Sequence, residues 1–337
     1  MGLSASDIAE KLSGYLGQIS GGPVEVSSVV RLSGGAIQEN WALDVIVDQG
    51  DWAGTHQLVM RCDAKSGVST SHSRAQEFAL LRAARAAAVA VPEVCLKCDD
   101  ASVLGRNFFL MHRVGGVAAG HKLVRQTNMP ELAIELGQNL ARIHRLKPPC
   151  EELAFLGPPP DHPARAAIET YRGYLDALDD AHPAIEWGLR WLDLHAPSPS
   201  GVTLCHRDYR TGNYMVNDGK LVAVLDWEFA GWSDPLEDIA WLCAKCWRFG
   251  VDGLEAGGIG SREDFYKGYE TAANHVIDRA AVYYWEVMAH VRWAVIACQQ
   301  AARHVSGEER SLELALTAHV VPELELQILR MTEPKHA

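Results

Sequence analysis

Apolar residues near the start of the chain recur at helical spacing. Ile8, Leu12 and Leu16 line one face, which predicts an amphipathic helix over residues 1–17. The period then falls to two. Residues 24–32, 41–47 and 56–62 read as strands, and Ser33-Gly34-Gly35 separates the first from the second. Residues 71–88, rich in Ala, Leu and Arg, read as a helix, followed by two more strands at 94–97 and 107–114. The pattern describes a five-stranded sheet interrupted by one helix.

Gly115-Gly116 marks a change to mostly helical periodicity. Pro130 opens a helix to about residue 145, with Leu132, Leu136, Leu140 and Ile143 on one face. A Pro-rich break at 158–163 precedes two helices, 164–180 and 184–195, and a second break covers 197–201. Residues 214–216 and 221–225 form a hairpin around Asn217-Asp218-Gly219, a strong turn signal. Later helices are expected at 237–249, 262–277, 282–304 and 312–331. The fold class is therefore α+β. A small N-terminal antiparallel-sheet lobe over 1–114 precedes a larger helical lobe over 115–337, with a helical insertion at about 150–200.

Composition narrows the options. Of 337 residues, 48% are apolar and 22% charged, which is the balance of a globular chain. A net charge of -12 argues against a general nucleic-acid binder, whose affinity rests on basic phosphate contacts. The first 18 residues lack a basic start leading into an apolar run, and no apolar stretch reaches the roughly 20 residues that span a bilayer. Eight cysteines without dense spacing suit a reducing compartment, so a cytoplasmic location is expected.

The chemistry concentrates in His206-Arg-Asp-Tyr-Arg-Thr-Gly-Asn213 and in Asp226-Trp-Glu228 beyond the hairpin. Phosphoryl transfer needs a group to take the acceptor's proton, oxygen ligands for Mg²⁺, and positive charge on the phosphates. Asp208 suits the first task. Asn213 and Asp226 supply hard oxygens for the metal, and Arg210 carries a cation to the transferring group.

The octapeptide matches the H-R-D-x-x-x-x-N pattern of protein-kinase catalytic loops, and Asp226 stands where the metal-binding Asp of D-F-G would be. The segment Gly231-Trp-Ser-Asp-Pro-Leu-Glu-Asp-Ile-Ala240 resembles the G-D-P-x-x-D-L-A run of the aminoglycoside phosphotransferase/choline kinase family. Asp226-Trp-Glu228 is similar to the D-W-E of its bacterial branch related to the kinase-like domain of acyl-CoA dehydrogenase fusion proteins. No A-P-E and no room for an activation loop follow, which separates the chain from protein kinases. Arg207 departs from the family, which usually has Gly there.

The resemblance implies a protein-kinase-like two-lobed fold. It also implies ATP as co-substrate, with GTP not excluded, and a small-molecule hydroxyl acceptor. Ser33 to Asn40 looks like the phosphate-covering loop, with Gly34 and Gly35 letting backbone N–H groups approach phosphate. Arg61, in Leu58-Val-Met-Arg61, takes the place of the kinase strand lysine, and Glu77 would be its partner. Phe108 to Val114 resembles the hinge, so the backbone of His112 and Val114 would face adenine with Met111 behind it.

Other residues invite weaker readings. Cys95/Cys98 and Cys243/Cys246 are C-x-x-C pairs, but the first lies on a strand and the second is expected mid-helix, where Cys is a small hydrophobe. His144 reads as structural, and Asp234 and Asp238 as braces of the catalytic loop. Trp285 and Trp293 read as core or as acceptor walls, and Glu228 as a ligand or a structural partner. The alternative function is a catalytically silent nucleotide-binding regulator of the same fold, which Arg61 and Arg207 keep open.

Overall fold

Ser4 caps the first helix reciprocally: its hydroxyl takes the Asp7 N–H, while the Asp7 carboxylate takes the Ser4 N–H. That helix, α1 (Ala5–Ser20), buries Ile8, Leu12 and Leu16 as the spacing requires. The structure is a computed structural model and describes residues 4–32, 38–63, 71–125 and 128–333. Gly34 and Gly35 lie outside the described residues.

The chain divides into two compact units, Met1–Gly116 with Val222–Phe229, and Val117–Leu221 with Ala230–Ala337. In the first, α1 is followed by β1 (Val24–Arg31), β2 (Gln38–Val47) and β3 (Gly54–Asp63). Helix α2 (Arg74–Ala86), β4 (Val94–Cys98), the single turn α3 (Ala101–Leu104) and β5 (Phe108–His112) complete it. The strands form one antiparallel sheet in the order β1-β2-β3-β5-β4. Alternation sorts the faces. Leu58 and Met60 of β3 and Phe108 and Leu110 of β5 pack with α1 in one core. The residues between them point the other way, so Phe109 meets Phe78 of α2 edge-on at 6.0 Å and Arg61 faces Glu77.

The second unit holds α4 (Gly120–Leu123), α5 (Pro130–Ile143), α6 (Pro163–Asp176) and α7 (Pro183–Leu194). Strand β6 (Thr203–Cys205) and the hairpin β7 (Tyr214–Asn217) and β8 (Lys220–Val224) follow, the last residues of β8 belonging to the first unit. Then come β9 (Gly231–Ser233), α8 (Pro235–Cys243), α9 (Arg262–Ala273), α10 (Arg279–Val305), α11 (Leu312–Thr317) and α12 (Val321–Thr332). The hairpin turns through Asp218 and Gly219, both at positive φ (48° and 74°), which the sequence anticipated with Asp-Gly. Helices α5 and α9 pack at contact distance because Gly137 and Gly268 lack side chains. A Cβ at Gly137 would lie 2.1 Å from the Phe265 carbonyl oxygen, and one at Gly268 2.1 Å from that of Ile134.

Three expectations are corrected. The helix expected at 237–249 stops at Cys243, because Ala244 is extended and the Arg248 guanidinium takes up the Cys243 carbonyl. Cys243 therefore ends a helix and Cys246 sits in a short 3-10 turn. The single helix expected at 312–331 is two, since Pro322 in the first turn of α12 supplies no N–H to continue α11. The short strands β6 and β9, paired antiparallel, were not anticipated.

Candidate active site

In the first unit, the buried guanidinium of Arg61 organises the polar side chains. Its Nε lies 2.8 Å from Glu77 Oε1, and its Nη1 3.0 Å from Asp226 Oδ1. Burial works against that charge, but the carboxylates of Glu77, Asp226 and Glu228 outweigh it and push the Arg61 pKa up. Glu77 also meets Arg74, a buried arginine that the sequence reading missed in an Ala/Arg-rich helix. Arg74 in turn reaches Asp63 at 3.0 Å and the His72 carbonyl at 2.8 Å. Arg61 Nη2 is buried and has no hydrogen-bond partner among the described residues.

Asp226 adopts φ 59°, in the left-handed region, directly before the fully buried Trp227. Its carboxylate is one-third exposed. Glu228 is buried, and its backbone carbonyl accepts from His72 N–H at 2.9 Å. At the end of β5, Met111 is buried, His112 N–H donates to the Glu93 carbonyl at 2.8 Å, and Val114 follows Arg113, whose N–H donates to the Gln57 carbonyl at 2.9 Å.

In the second unit, α8 grips the loop at 206–213. Pro235 occupies the first turn, and Asp234 caps it by accepting the Leu236 N–H at 2.9 Å. One turn on, the wholly buried Asp238 accepts the backbone N–H groups of His206 and Arg207, both at 2.7 Å, and faces His144 Nε2 at 3.2 Å. Burial alone would raise its pKa, but the His144 contact and the loop N–H groups pull it below the ordinary carboxylate range. Arg207 sits at φ 62°, which explains why the family usually carries glycine there. The strain is offset by Asp238 on its N–H, Arg292 on its carbonyl and Glu237 on its guanidinium at 3.3 Å.

Asp208 receives three donors. Arg210 Nε and Trp241 Nε1 reach Oδ1 at 3.0 and 2.9 Å, and Asn213 Nδ2 reaches Oδ2. With its nitrogen turned to Asp208, Asn213 has Oδ1 to offer a cation. The Arg210 guanidinium also stacks over Trp247, 4.5 Å from the ring centroid. Arg210, expected on the phosphoryl group, thus lies on the carboxylate of Asp208. Tyr209 and Thr211 pin the loop from beneath, donating to the Leu136 and Gly257 carbonyls at 2.9 and 2.7 Å.

His144 bonds Tyr269 on its other nitrogen at 2.9 Å, a buried bracing role. His144, Cys205 and Asp238 approach within 4.8 Å, but Asp238 is saturated by donors and burial holds the Cys205 thiol protonated. Among the described residues neither C-x-x-C pair belongs to a metal-ligating group of three. Trp285 is buried core. Trp293 packs against Trp247 in a tilted pair, centroids 4.9 Å apart, and borders an open apolar groove of about 560 Å³ with Leu312, Leu316 and Val320. Among the described residues no helix is long and apolar enough to cross a membrane.

The sequence model of the phosphotransferase enzyme family matches residues 28–281. Acyl-CoA dehydrogenase family member 10 of Mus musculus is 30% identical over 250 residues, covering 70% of this chain and 22% of that protein. The chain thus spans about a fifth of that curated relative's length. Among solved structures, a candidate aminoglycoside phosphotransferase of Ralstonia eutropha JMP134 superimposes with TM-score 0.75 at 22% identity, over 96% of this chain and 98% of its own. A spectinomycin phosphotransferase in complex with ADP and spectinomycin gives 0.66 at 13% identity over 99% of each chain. At such identities the structural likeness is one of fold, and that fold is the kinase-like one.

Proposed function

This chain belongs to the phosphotransferase enzyme family, and we propose that it moves the γ-phosphoryl group of ATP onto a hydroxyl of a small molecule. The observation that carries the reading is the loop at 206–213. There Asp208 and Asn213 hydrogen-bond to each other on a backbone held by Asp238.

The residues fit a nucleotide with its metal. Arg61 Nη2, buried without a partner among the described residues, is a donor suited to a phosphate oxygen. The one-third-exposed carboxylate of Asp226 and the Oδ1 of Asn213 are hard donors of the kind Mg²⁺ takes. When bound, Mg²⁺ neutralises charge on the phosphates. Asp208 orients the acceptor hydroxyl and takes its proton as the oxygen bonds to the γ-phosphorus and the bond to the leaving diphosphate breaks. Arg61 is held by Glu77 for the phosphates, and Arg210, bonded to Asp208 Oδ1, is the second cation for the transferring group. Gly34, Gly35, Met111 and the backbone of His112 and Val114 serve the nucleotide. A cytoplasmic location accords with the unpaired cysteines.

The test is acceptor-dependent ADP release from Mg²⁺-ATP. The panel holds aminoglycosides, choline, ethanolamine, sugars and hydroxyacyl compounds, with Asp208→Asn as control. Turnover with one class, lost in the variant, establishes the activity and its acceptor. Nucleotide binding without turnover of any acceptor would favour a silent regulator.

A further inference from the structure

A carboxylate that takes a proton from an acceptor must present one chosen oxygen, yet the terminal torsion of an Asp side chain is broad and roughly two-fold. Asp208 is restrained by three donors of different character. Arg210 is charged, partly exposed and stacked on Trp247, and Asn213 has a second task to offer its amide oxygen. Trp241 differs from both. Its indole N–H is donor only and uncharged, and the ring is almost wholly buried.

The ring is also held from two sides. The Arg292 guanidinium lies over it, 4.3 Å from the centroid, and Trp247 packs against it at 5.1 Å. Arg292 is fixed in turn by Glu237 at 3.0 Å and by the Arg207 carbonyl. Helical spacing places Asp238 and Trp241 three residues apart on one face of α8. The first holds the backbone of the loop and the second holds the side chain that the loop presents.

We propose that Trp241 is a positioning residue for Asp208. Its indole N–H, kept in place by Arg292, fills Oδ1 together with Arg210, so that Oδ2, which accepts only from Asn213, keeps a lone pair for the acceptor hydroxyl. The inference rests on the reading of Asp208 as the base. A buried indole N–H seeking any acceptor would give the same contact without this consequence, and the two accounts differ in kinetics.

Trp241→Phe keeps an aromatic ring beneath Arg292 and removes only the donor. The expected result is a fall in kcat of roughly 10- to 100-fold, as for a small misplacement of a reacting group, with KM for Mg²⁺-ATP and the thermal unfolding midpoint little changed. A kcat within about twofold of the parent overturns the proposal, as does a loss in which kcat, KM and the midpoint all deteriorate together. The second arm needs neither turnover nor that variant. In the full chain labelled with ¹⁵N-tryptophan, the indole N–H resonance of Trp241 should shift on Asp208→Ala. An unmoved resonance also overturns the proposal. If the parent itself turns over no acceptor, the phosphotransfer reading fails separately, and the indole resonance still decides whether Trp241 holds Asp208.

Discussion

Arg61 Nη1 lies 3.0 Å from Asp226 Oδ1 while its Nε holds Glu77 at 2.8 Å, so one buried fork spans two carboxylates and keeps Nη2 in reserve. A lysine concentrates its three donors on one nitrogen, whereas the guanidinium spreads its donors over three nitrogens in a rigid fork, so the two are not interchangeable here. Arg61→Met should weaken Mg²⁺-ADP binding by about 2 kcal/mol or more, roughly 30-fold in Kd, with Arg61→Lys between it and the parent. Isothermal titration calorimetry reads this directly, and an unchanged Kd in Arg61→Met would remove Arg61 from the nucleotide half-site.

Asp208 and Asp226 should fail in different ways. Asp208 is held by donors that orient it, whereas Asp226 is a one-third-exposed carboxylate paired to Arg61. Asp208→Ala should abolish transfer and leave Mg²⁺-nucleotide affinity nearly intact. Asp226→Ala should instead lower that affinity and flatten its dependence on Mg²⁺ concentration. Full activity in the first would remove Asp208 as the base, and an affinity indifferent to the second would remove Asp226 from the metal.

Much of this was legible because the signals are local. The Asp-Gly turn, the alternation along β3 that sends Leu58 one way and Arg61 the other, and the order Asp208, Asn213, Asp226 all sit within short windows. What escaped depends on partners distant in sequence. Strands β6 and β9 have three residues each and exist because Thr203 pairs with Ser233 and Cys205 with Gly231. Nothing local in the sequence singles out Arg74, which the fold buries against Glu77. Nor does anything local single out Trp241 on the buried helix α8. Only its edge, 2.9 Å from Asp208, marks it as polar machinery. Positive φ at Arg207 is invisible in a side chain that ordinarily avoids it.

The close crossing of α5 and α9 gives a sharp steric expectation. A Cβ at Gly137 would meet backbone, 2.1 Å from the Phe265 oxygen and 2.6 Å from the Tyr269 nitrogen, and neither yields as a flexible side chain would. Gly137→Ala should therefore cost about 3 kcal/mol, read by urea denaturation, despite alanine's higher helix propensity. Gly14 in α1 has nothing within 4 Å of such a Cβ, so Gly14→Ala should be neutral or stabilising by up to about 1 kcal/mol. A Gly137→Ala chain as stable as the parent would mean the two helices do not approach this closely. Tyr269 on α9 also bonds His144, so the cost should be accompanied by lower turnover as the brace on Asp238 loosens.

His290 on α10 should contribute to the acid sensitivity of the fold. Burial is the main cause of its depressed pKa, pushed from 6.5 down to about 4, and the nearby charges of Arg248 and Lys245 add to it. The unfolded chain therefore binds a proton near pH 6.5 that the folded chain refuses until about pH 4. Above 6.5 the residue is neutral in both states and contributes no slope. As the pH falls from 6.5 towards 4, the unfolded state alone gains the proton, and stability declines by about 3 kcal/mol before levelling off. His290→Met should remove that decline. Urea unfolding at pH 7, 5.5 and 4 should show the parent losing about 3 kcal/mol more than the variant across the series. Parallel losses in the two proteins would mean that His290 is not held neutral in the fold, and that the acid transition belongs to other groups.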